Sequence, residues 1–196
     1  MLLPAKRVGA SAEPTPVREA DIAAPTVCGP DDRDLLGDLT RDSQGVAAYR
    51  VGEQRVVLTA VRPQRLDQTE VASALRTMQR KAGDPTCRSQ TSPGRAQVMP
   101  LDDLPKQVFG YQWSRQTNAA WTSGVRGYRQ VGDFLISVTI SQPGLTAPSV
   151  GELKRLLQAQ ATQVGQTPGT KDVNACKALP AATARSLLGC RPFKDP

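Results

Sequence analysis

The fold is decided by residues 108–140, VFGYQWSRQTNAAWTSGVRGYRQVGDFLISVTI. Apolar, aromatic and β-branched residues alternate with polar ones in this stretch, and a period of two is typical of half-buried strands. Gly and Asn interrupt the alternation at the points where strands would end. The pattern predicts a three-stranded antiparallel meander, with strands at about Val108–Gln116, Trp121–Val131 and Asp133–Ser141.

The register of this meander follows from one turn. Gly132-Asp133 is typical of a two-residue hairpin loop, because glycine adopts the positive φ that such turns need. The turn pairs Val131 with Phe134, Arg129 with Ile136, Gly127 with Val138 and Val125 with Ile140. One face is then apolar and must be covered: Val125, Val131, Phe134, Ile136, Val138 and Ile140. The other face is expected to stay in water: Arg126, Tyr128, Gln130, Ser137 and Thr139. Arg129 falls on the apolar side, where we expect it at an edge, extended toward solvent or paired with a carboxylate.

Shorter patterns predict the elements around the meander. Val46–Val51 and Arg55–Val61 read as a second hairpin about residues 52–54. A helix is predicted from a capping signal at Asp67 through about Lys81, with an apolar stripe of Val71, Leu75, Met78 and Ala82. A second helix follows Ser149 and is expected to cover the meander with Leu153, Leu156, Leu157 and Val164.

The ends and the connections carry weaker signals. The N-terminus is expected to dock through a first turn with Leu2, Leu3 and Val8, followed by an extended arm. Residues 88–107 read as a surface loop that Leu101 and Leu104 pin down. We divide the chain into an α+β domain at residues 1–165 and a linker with a helical tail at residues 166–196. In the tail, Leu179-Pro180-Ala181 repeats Leu3-Pro4-Ala5.

The cysteines and the absence of histidine limit the catalytic and metal-binding chemistry that the chain could perform. Four cysteines, Cys28, Cys87, Cys176 and Cys190, contain no CxxC pair, which disfavours a zinc site and favours two disulfides in an oxidising compartment. Three connectivities are possible, and we favour Cys28–Cys87 with Cys176–Cys190. Because the chain has no histidine, Ser-His-Asp catalysis, Cys-His catalysis and histidine metal sites are excluded. We expect no cofactor, no metal and no enzymatic activity.

The charge is basic but dispersed. A net charge of +7 is spread along the chain without a block of basic residues, and it is read either as a solvated basic surface or as attraction to anionic wall polymers or lipid headgroups. Nucleic acid is not an expected partner. No apolar run is long enough for a membrane helix, so any membrane tether is expected outside residues 1–196.

The order of these motifs resembles a known family. It is similar to that of the actinobacterial extracytoplasmic sensor-domain family, typified by the external domain of the mycobacterial serine/threonine kinase PknH and by related lipoproteins. The similar features are LLPAKRVG, Cys28, the helix leading to GDPTC at Cys87, GYRQVGDFLISVTI and SVGELKRLLQAQATQV. The resemblance covers about residues 1–165. It implies an α+β fold with a central antiparallel sheet, helices packed on it, a cleft, disulfide support and no catalysis.

The leading functional hypothesis is therefore a sensor or ligand-binding domain at the cell envelope, acting in signal transduction. Aromatic rings beside guanidinium groups suit sugars or anionic wall fragments. Those residues form the candidate ligand surface: Tyr111, Trp113, Arg115, Arg126 and Tyr128. They could equally be core aromatics and solvated arginines.

Two alternatives stay open. A protein-interaction or structural module of an envelope lipoprotein would need a large apolar patch instead of a pocket. A hydrolase with paired carboxylates would have to use Asp102-Asp103 or Asp31-Asp32, although neighbouring residues seldom face each other across a substrate.

Overall fold

The computed structural model describes residues 2–18, 44–62, 68–84, 96–101, 104–105, 108–117 and 119–166. The residues up to Gly165 belong to one compact unit. In chain order its elements are α1 (Ala5–Val8), β1 (Glu13–Thr15), β2 (Gln44–Val51), β3 (Gln54–Val61), α2 (Gln68–Gly83), β4 (Ala96–Pro100), β5 (Val108–Thr117), β6 (Ala120–Val131), β7 (Phe134–Pro143) and α3 (Val150–Gln166).

The strands of the described ranges form one antiparallel sheet with the order β1-β2-β3-β7-β6-β5-β4. The α+β class with a central antiparallel sheet is thereby confirmed. The predicted meander is β5-β6-β7, and its predicted register is confirmed from Val131 opposite Phe134 to Val125 opposite Ile140.

Two similar hairpins meet at the centre of the sheet. Gly52 and Gly132 each open a two-residue turn with φ values of +59° and +55°, and an acidic residue follows each glycine. β3 and β7 pair so that Leu58 lies opposite Val138, and each of these residues is the sixth after its turn glycine. The β2-turn-β3 loop is one residue shorter than predicted, because Gln54 pairs with Val51 and belongs to the strand.

Helix α3 covers the face that the sequence marks as apolar, which we call the α3 face. Leu153, Leu156 and Leu157 are buried in one cluster with the strand residues Val56, Leu58, Val125, Val138 and Ile140. Gly127 makes the close approach possible, because a Cβ there would lie 2.5 Å from Leu157 Cδ1. Arg129 stays half-buried on this side and donates to Gln158 Oε1 of the helix at 2.7 Å. The expectation that this helix covers the meander is confirmed.

The N-terminus packs on the same face, as predicted. Leu3 and Val8 are buried in the cluster and Leu2 packs against its edge. The arm that follows is partly a strand, since β1 pairs with β2. Leu101 and Leu104 also pack against this cluster, which confirms that they pin their segment to the domain.

Helix α2 packs against β4, β5 and β6. We call the opposite side of the sheet the α2 face. Val71, Leu75 and Met78 of the predicted stripe are buried, while the side chain of Ala82 lies outside the described residues.

The structure corrects two predictions. The second face of the meander does not stay in water. Arg126 and Tyr128 are buried where α2 packs on β5 and β6, and Ser137 and Thr139 are buried on the adjacent strand β7. The region 88–107 is not wholly a loop, because residues 96–100 form β4 and pair along β5.

Several predictions fall outside the described residues. They are the four cysteines with both favoured disulfides, Asp31-Asp32, Asp102-Asp103, and the tail from residue 167 onward. None of the helices in the described part of the chain is long and apolar enough to cross a membrane.

Candidate functional site: the cleft beside α2

A cleft lies between α2 and the end of the β5–β6 pair. Its volume is about 600 Å³, which is within the range of small-molecule sites. Among the described residues, polar side chains come from α2 and β6, and apolar residues complete the lining. The polar lining is Gln68, Thr69, Arg76, Gln79 and Gln130; the rest is Ala72, Leu75, Val108, Phe109 and Gly132.

Helical spacing explains why α2 presents these groups. Residues 68, 69, 72, 76 and 79 recur at intervals of three and four, so they share one side of the helix beside the buried stripe. Leu75 belongs to both sides: it is buried and also lines the cleft. The cleft is therefore the place where the polar flank of an amphipathic helix meets the sheet.

The mouth of the cleft is fixed by the β6–β7 turn. Asp133 accepts a hydrogen bond from Gln68 Nε2 at 2.7 Å and lies 3.5 Å from Arg62 Nη2. These contacts tie the first turn of α2 to the hairpin and to the residue after β3. The ion pair is exposed, so its role is to position the turn more than to stabilise the fold.

Behind the cleft, the α2 face buries a polar and aromatic cluster in two cross-strand rows. The first row runs Phe109, Tyr128, Ser137 and Thr59, and the second runs Tyr111, Arg126, Thr139 and Val57. Phe109 joins the cluster to the cleft, because its ring lies 6.0 Å from that of Tyr128 and 5.8 Å from that of Tyr111.

Arg126 is the centre of the cluster. Its side chain is hydrogen bonded to both tyrosines, its Nε donates to Thr139 Oγ1 at 2.5 Å, and its Cζ lies 5.8 Å from the centre of the Tyr128 ring. The arginine is only 8% exposed. In the neighbouring row, the hydroxyls of Thr59 and Ser137 are 2.7 Å apart.

The electrostatics of the two tyrosines follow from this burial. Burial raises the pKa of Tyr128 well above the ordinary value for a tyrosine, and it raises the pKa of Tyr111 as well. The positive charge of Arg126 acts in the opposite direction on both pKa values. Both phenols are therefore neutral hydrogen-bonding groups over the physiological pH range, and neither is available as a base.

The structure brings together three of the five residues predicted as a ligand surface. Tyr111 and Tyr128 are 3% and 6% exposed and join Arg126 in the cluster behind the cleft, so these three residues form no open surface. Trp113 is half-buried and packs over Gly124, where a Cβ would overlap the tryptophan ring. Arg115 is exposed and lies two residues farther along β5. The assignment of these five residues to ligand binding stays a prediction.

The polar residues of α2 that line the cleft were not singled out in the sequence. Gln68, Thr69 and Gln79 form no motif, and they read as the solvated side of an amphipathic helix. The available signal was the concentration of amide and hydroxyl side chains on one flank of the helix, beside its apolar stripe.

Comparisons with protein-family models, with curated proteins and with solved structures each find no match to this chain.

Proposed function

We propose that this chain is a non-catalytic ligand-binding domain of an extracytoplasmic sensor, and that its ligand occupies the cleft beside α2. The observation that carries the proposal is the concave lining of amide, hydroxyl and guanidinium groups around an aromatic and aliphatic wall. Small-molecule sites combine an apolar wall with a few converging polar groups in this way.

The lining favours an anionic or sugar-containing ligand from the cell wall. Glutamine amides and a threonine hydroxyl both donate and accept hydrogen bonds, which matches the hydroxyls of a sugar. Arg76 offers a guanidinium group suited to a carboxylate. The described lining contains no carboxylate, so it lacks the acid pair that a glycosidase needs, and Asp133 at the mouth is paired with Arg62.

A protein partner is the less supported alternative. Such a partner would need a contiguous apolar patch. In the described ranges the exposed large apolar side chains are Val17 and Leu145, which belong to different loops. This observation favours a pocket ligand.

Filling the cleft tests the proposal. N-acetylmuramic acid and N-acetylglucosamine differ by one lactyl carboxylate, and both are titrated into the full chain by calorimetry. Ala72→Trp places a large ring in the cleft and is expected to abolish binding. Ser73→Trp adds the same ring to the exposed neighbouring position, which does not line the cleft, and is expected to bind like the parent.

A second pair of variants tests the ligand class. Arg76→Ala is expected to lower the affinity for N-acetylmuramic acid about ten- to hundredfold while leaving that for N-acetylglucosamine unchanged, because a charge-assisted hydrogen bond contributes roughly 1.5–3 kcal/mol. Arg80→Ala removes an exposed arginine outside the lining and serves as the control. Equal affinities for Ala72→Trp and Ser73→Trp, or no binding of either sugar by the parent chain, would contradict the proposal.

The extracytoplasmic location has its own test. The protein isolated without reductant is alkylated and its intact mass is measured. If all four cysteines are crosslinked, no alkyl group is added before reduction and four are added after it. Four alkylated cysteines before reduction would contradict the extracytoplasmic location, and with it the assignment as a sensor.

A further inference from the structure

The outer end of the α2 face carries a small surface that the cleft does not include. The strand register places two rows of side chains there, beyond the row of Tyr111 and Arg126. We call them the end patch: Trp113, Gly124 and Ser141 in one row, and Arg115, Thr122 and Pro143 in the next. Strand and residue spacing make the patch about 10 Å wide and about 7 Å long, and it begins about 17 Å from Val108 of the cleft.

Trp113 forms one side of the end patch and lies against the neighbouring strand. A Cβ at Gly124 would overlap the Cε2, Cζ2 and Nε1 atoms of the indole. The ring therefore rests on the backbone of β6, which only a residue without a side chain permits. Because Trp113 is half-buried, the part of the ring that does not rest on β6 remains accessible.

The polar side chains of the end patch share one property. Within the part of the chain that the structure describes, none of them forms a hydrogen bond or an ion pair: the indole N–H of Trp113, the guanidinium of Arg115 and the hydroxyls of Thr122 and Ser141. In the adjacent row, by contrast, Arg126 donates to Thr139. Arg115 is exposed and the other three are half-buried, so their hydrogen bonds go to water or to a ligand.

The chemistry of the end patch selects one class of ligand. An accessible aromatic ring offers an apolar face to the C–H groups of a sugar ring, with a polar N–H at its edge. The hydroxyls of Thr122 and Ser141 donate and accept hydrogen bonds, as sugar hydroxyls do. The guanidinium of Arg115 matches the two oxygens of a carboxylate. A sugar that carries a carboxylate uses all of these groups together.

We propose that the end patch is a second binding site, and that it takes one unit of an acidic sugar chain, with its ring on Trp113 and its carboxylate on Arg115. The patch lies at the open end of a sheet face, where a sugar chain can extend past it in both directions. The proposal does not rest on the cleft or on its ligand.

Tryptophan fluorescence tests the site directly, because the chain has two tryptophans. Trp121→Phe leaves Trp113 as the single reporter, and Trp113→Phe leaves Trp121, which is half-buried on the α3 face. Titration with digalacturonate is expected to change the emission of the first variant saturably and to leave that of the second unchanged. Tripolyphosphate, which has charge and no sugar ring, is expected to change neither. The absence of a saturable change at Trp113, or the same change with tripolyphosphate, would overturn the proposal.

Charge variants in the Trp121→Phe background test the role of Arg115. Arg115→Gln is expected to lower the affinity for digalacturonate about three- to tenfold, as for an exposed but paired carboxylate. It is expected to leave the affinity for the dimethyl ester of the same sugar unchanged. Lys6→Gln removes one positive charge from an exposed position of α1 and is the matched control. Equal affinities of Arg115→Gln and Lys6→Gln for digalacturonate would contradict the site, whatever the outcome at the cleft.

Discussion

The two faces of the sheet are built from the same strands and are covered by different chemistry. On the α3 face, aliphatic side chains from β3, β6 and β7 pack against three leucines of one helix, and Gly127 lets that helix approach closely. On the α2 face, the same strands bury Arg126, two tyrosines and a pair of hydroxyls, and the covering helix leaves a polar cleft. Aliphatic packing therefore dominates one face, while directional polar groups are concentrated on the other.

The difference has an energetic basis. Aliphatic burial contributes free energy in proportion to area and sets no precise orientation. A buried polar cluster contributes little net stability when it is complete and costs several kcal/mol when it is broken. Substitutions on the two faces are therefore expected to differ in size and in how they combine.

The largest expected effect is on the α3 face. Leu157→Ala removes a buried side chain that rests on Gly127 and is expected to lower the free energy of unfolding by about 2–5 kcal/mol. Leu145→Ala, at a leucine that is 62% exposed, is expected to change it by less than about 0.5 kcal/mol. Urea unfolding measures both, and equal effects would show that α3 does not dominate the core.

A smaller loss is expected from the centre of the α2 face. Arg126→Met replaces the guanidinium with an unbranched apolar side chain, so Tyr111, Tyr128 and Thr139 lose their shared hydrogen-bond donor. The free energy of unfolding is expected to fall by about 1–3 kcal/mol. Arg115→Met, on the same face but exposed, is the matched control with an expected change below about 0.5 kcal/mol. If Arg126→Met were neutral, the cluster would not be a coupled unit.

The hydroxyl pair should show the clearest non-additivity. Thr59→Val or Ser137→Ala alone leaves one buried or half-buried hydroxyl without its partner, and each is expected to cost about 1 kcal/mol. The double variant removes both groups and is expected to cost less than the two single losses added together. A double-mutant cycle in urea measures the coupling, and additive losses would contradict a direct hydrogen bond.

The smallest expected effect appears only in alkali. Burial raises the pKa of Tyr128 in the folded protein above its value in the unfolded chain, so the neutral phenol favours folding. This contribution is complete below about pH 10 and is lost as the pH rises above it, because the unfolded chain ionises first. Tyr128→Phe is expected to lose less stability than the parent chain between about pH 9 and about pH 11 in urea unfolding. Parallel losses in the two proteins would contradict the raised pKa.

The sequence predicted the elements whose signals are local. Alternation and the Gly132-Asp133 turn fix the meander and its register, because a shift of one residue would expose the whole apolar set. The apolar stripes of α2 and α3 are likewise local patterns at helical spacing. β1 and β4 were missed as strands, because they are short, contain proline and are defined only by the partner that they pair with.

The burial of Arg126 and Tyr128 could not be predicted from the sequence. Their alternation placed them on one face, but only tertiary packing decides whether a helix covers that face. The resemblance implied a cleft, but its location was missed for the same reason: the polar flank of α2 lines a cleft only where it meets Gln130 and Gly132 at the end of the sheet. Local pattern fixes which residues share a face, and long-range packing fixes what that face contacts.

The division between the two faces is tested most directly by mapping backbone amide shifts of the full chain during titration with N-acetylmuramic acid. Saturable shifts are expected at Thr69, Ala72, Arg76 and Gln79 of α2 and at Gln130 of β6, and no shifts are expected at Leu153 and Leu157 of α3. Shifts confined to α3 and to residues 2–15 would contradict a ligand site beside α2, and so would a saturating titration that shifts no residue of α2.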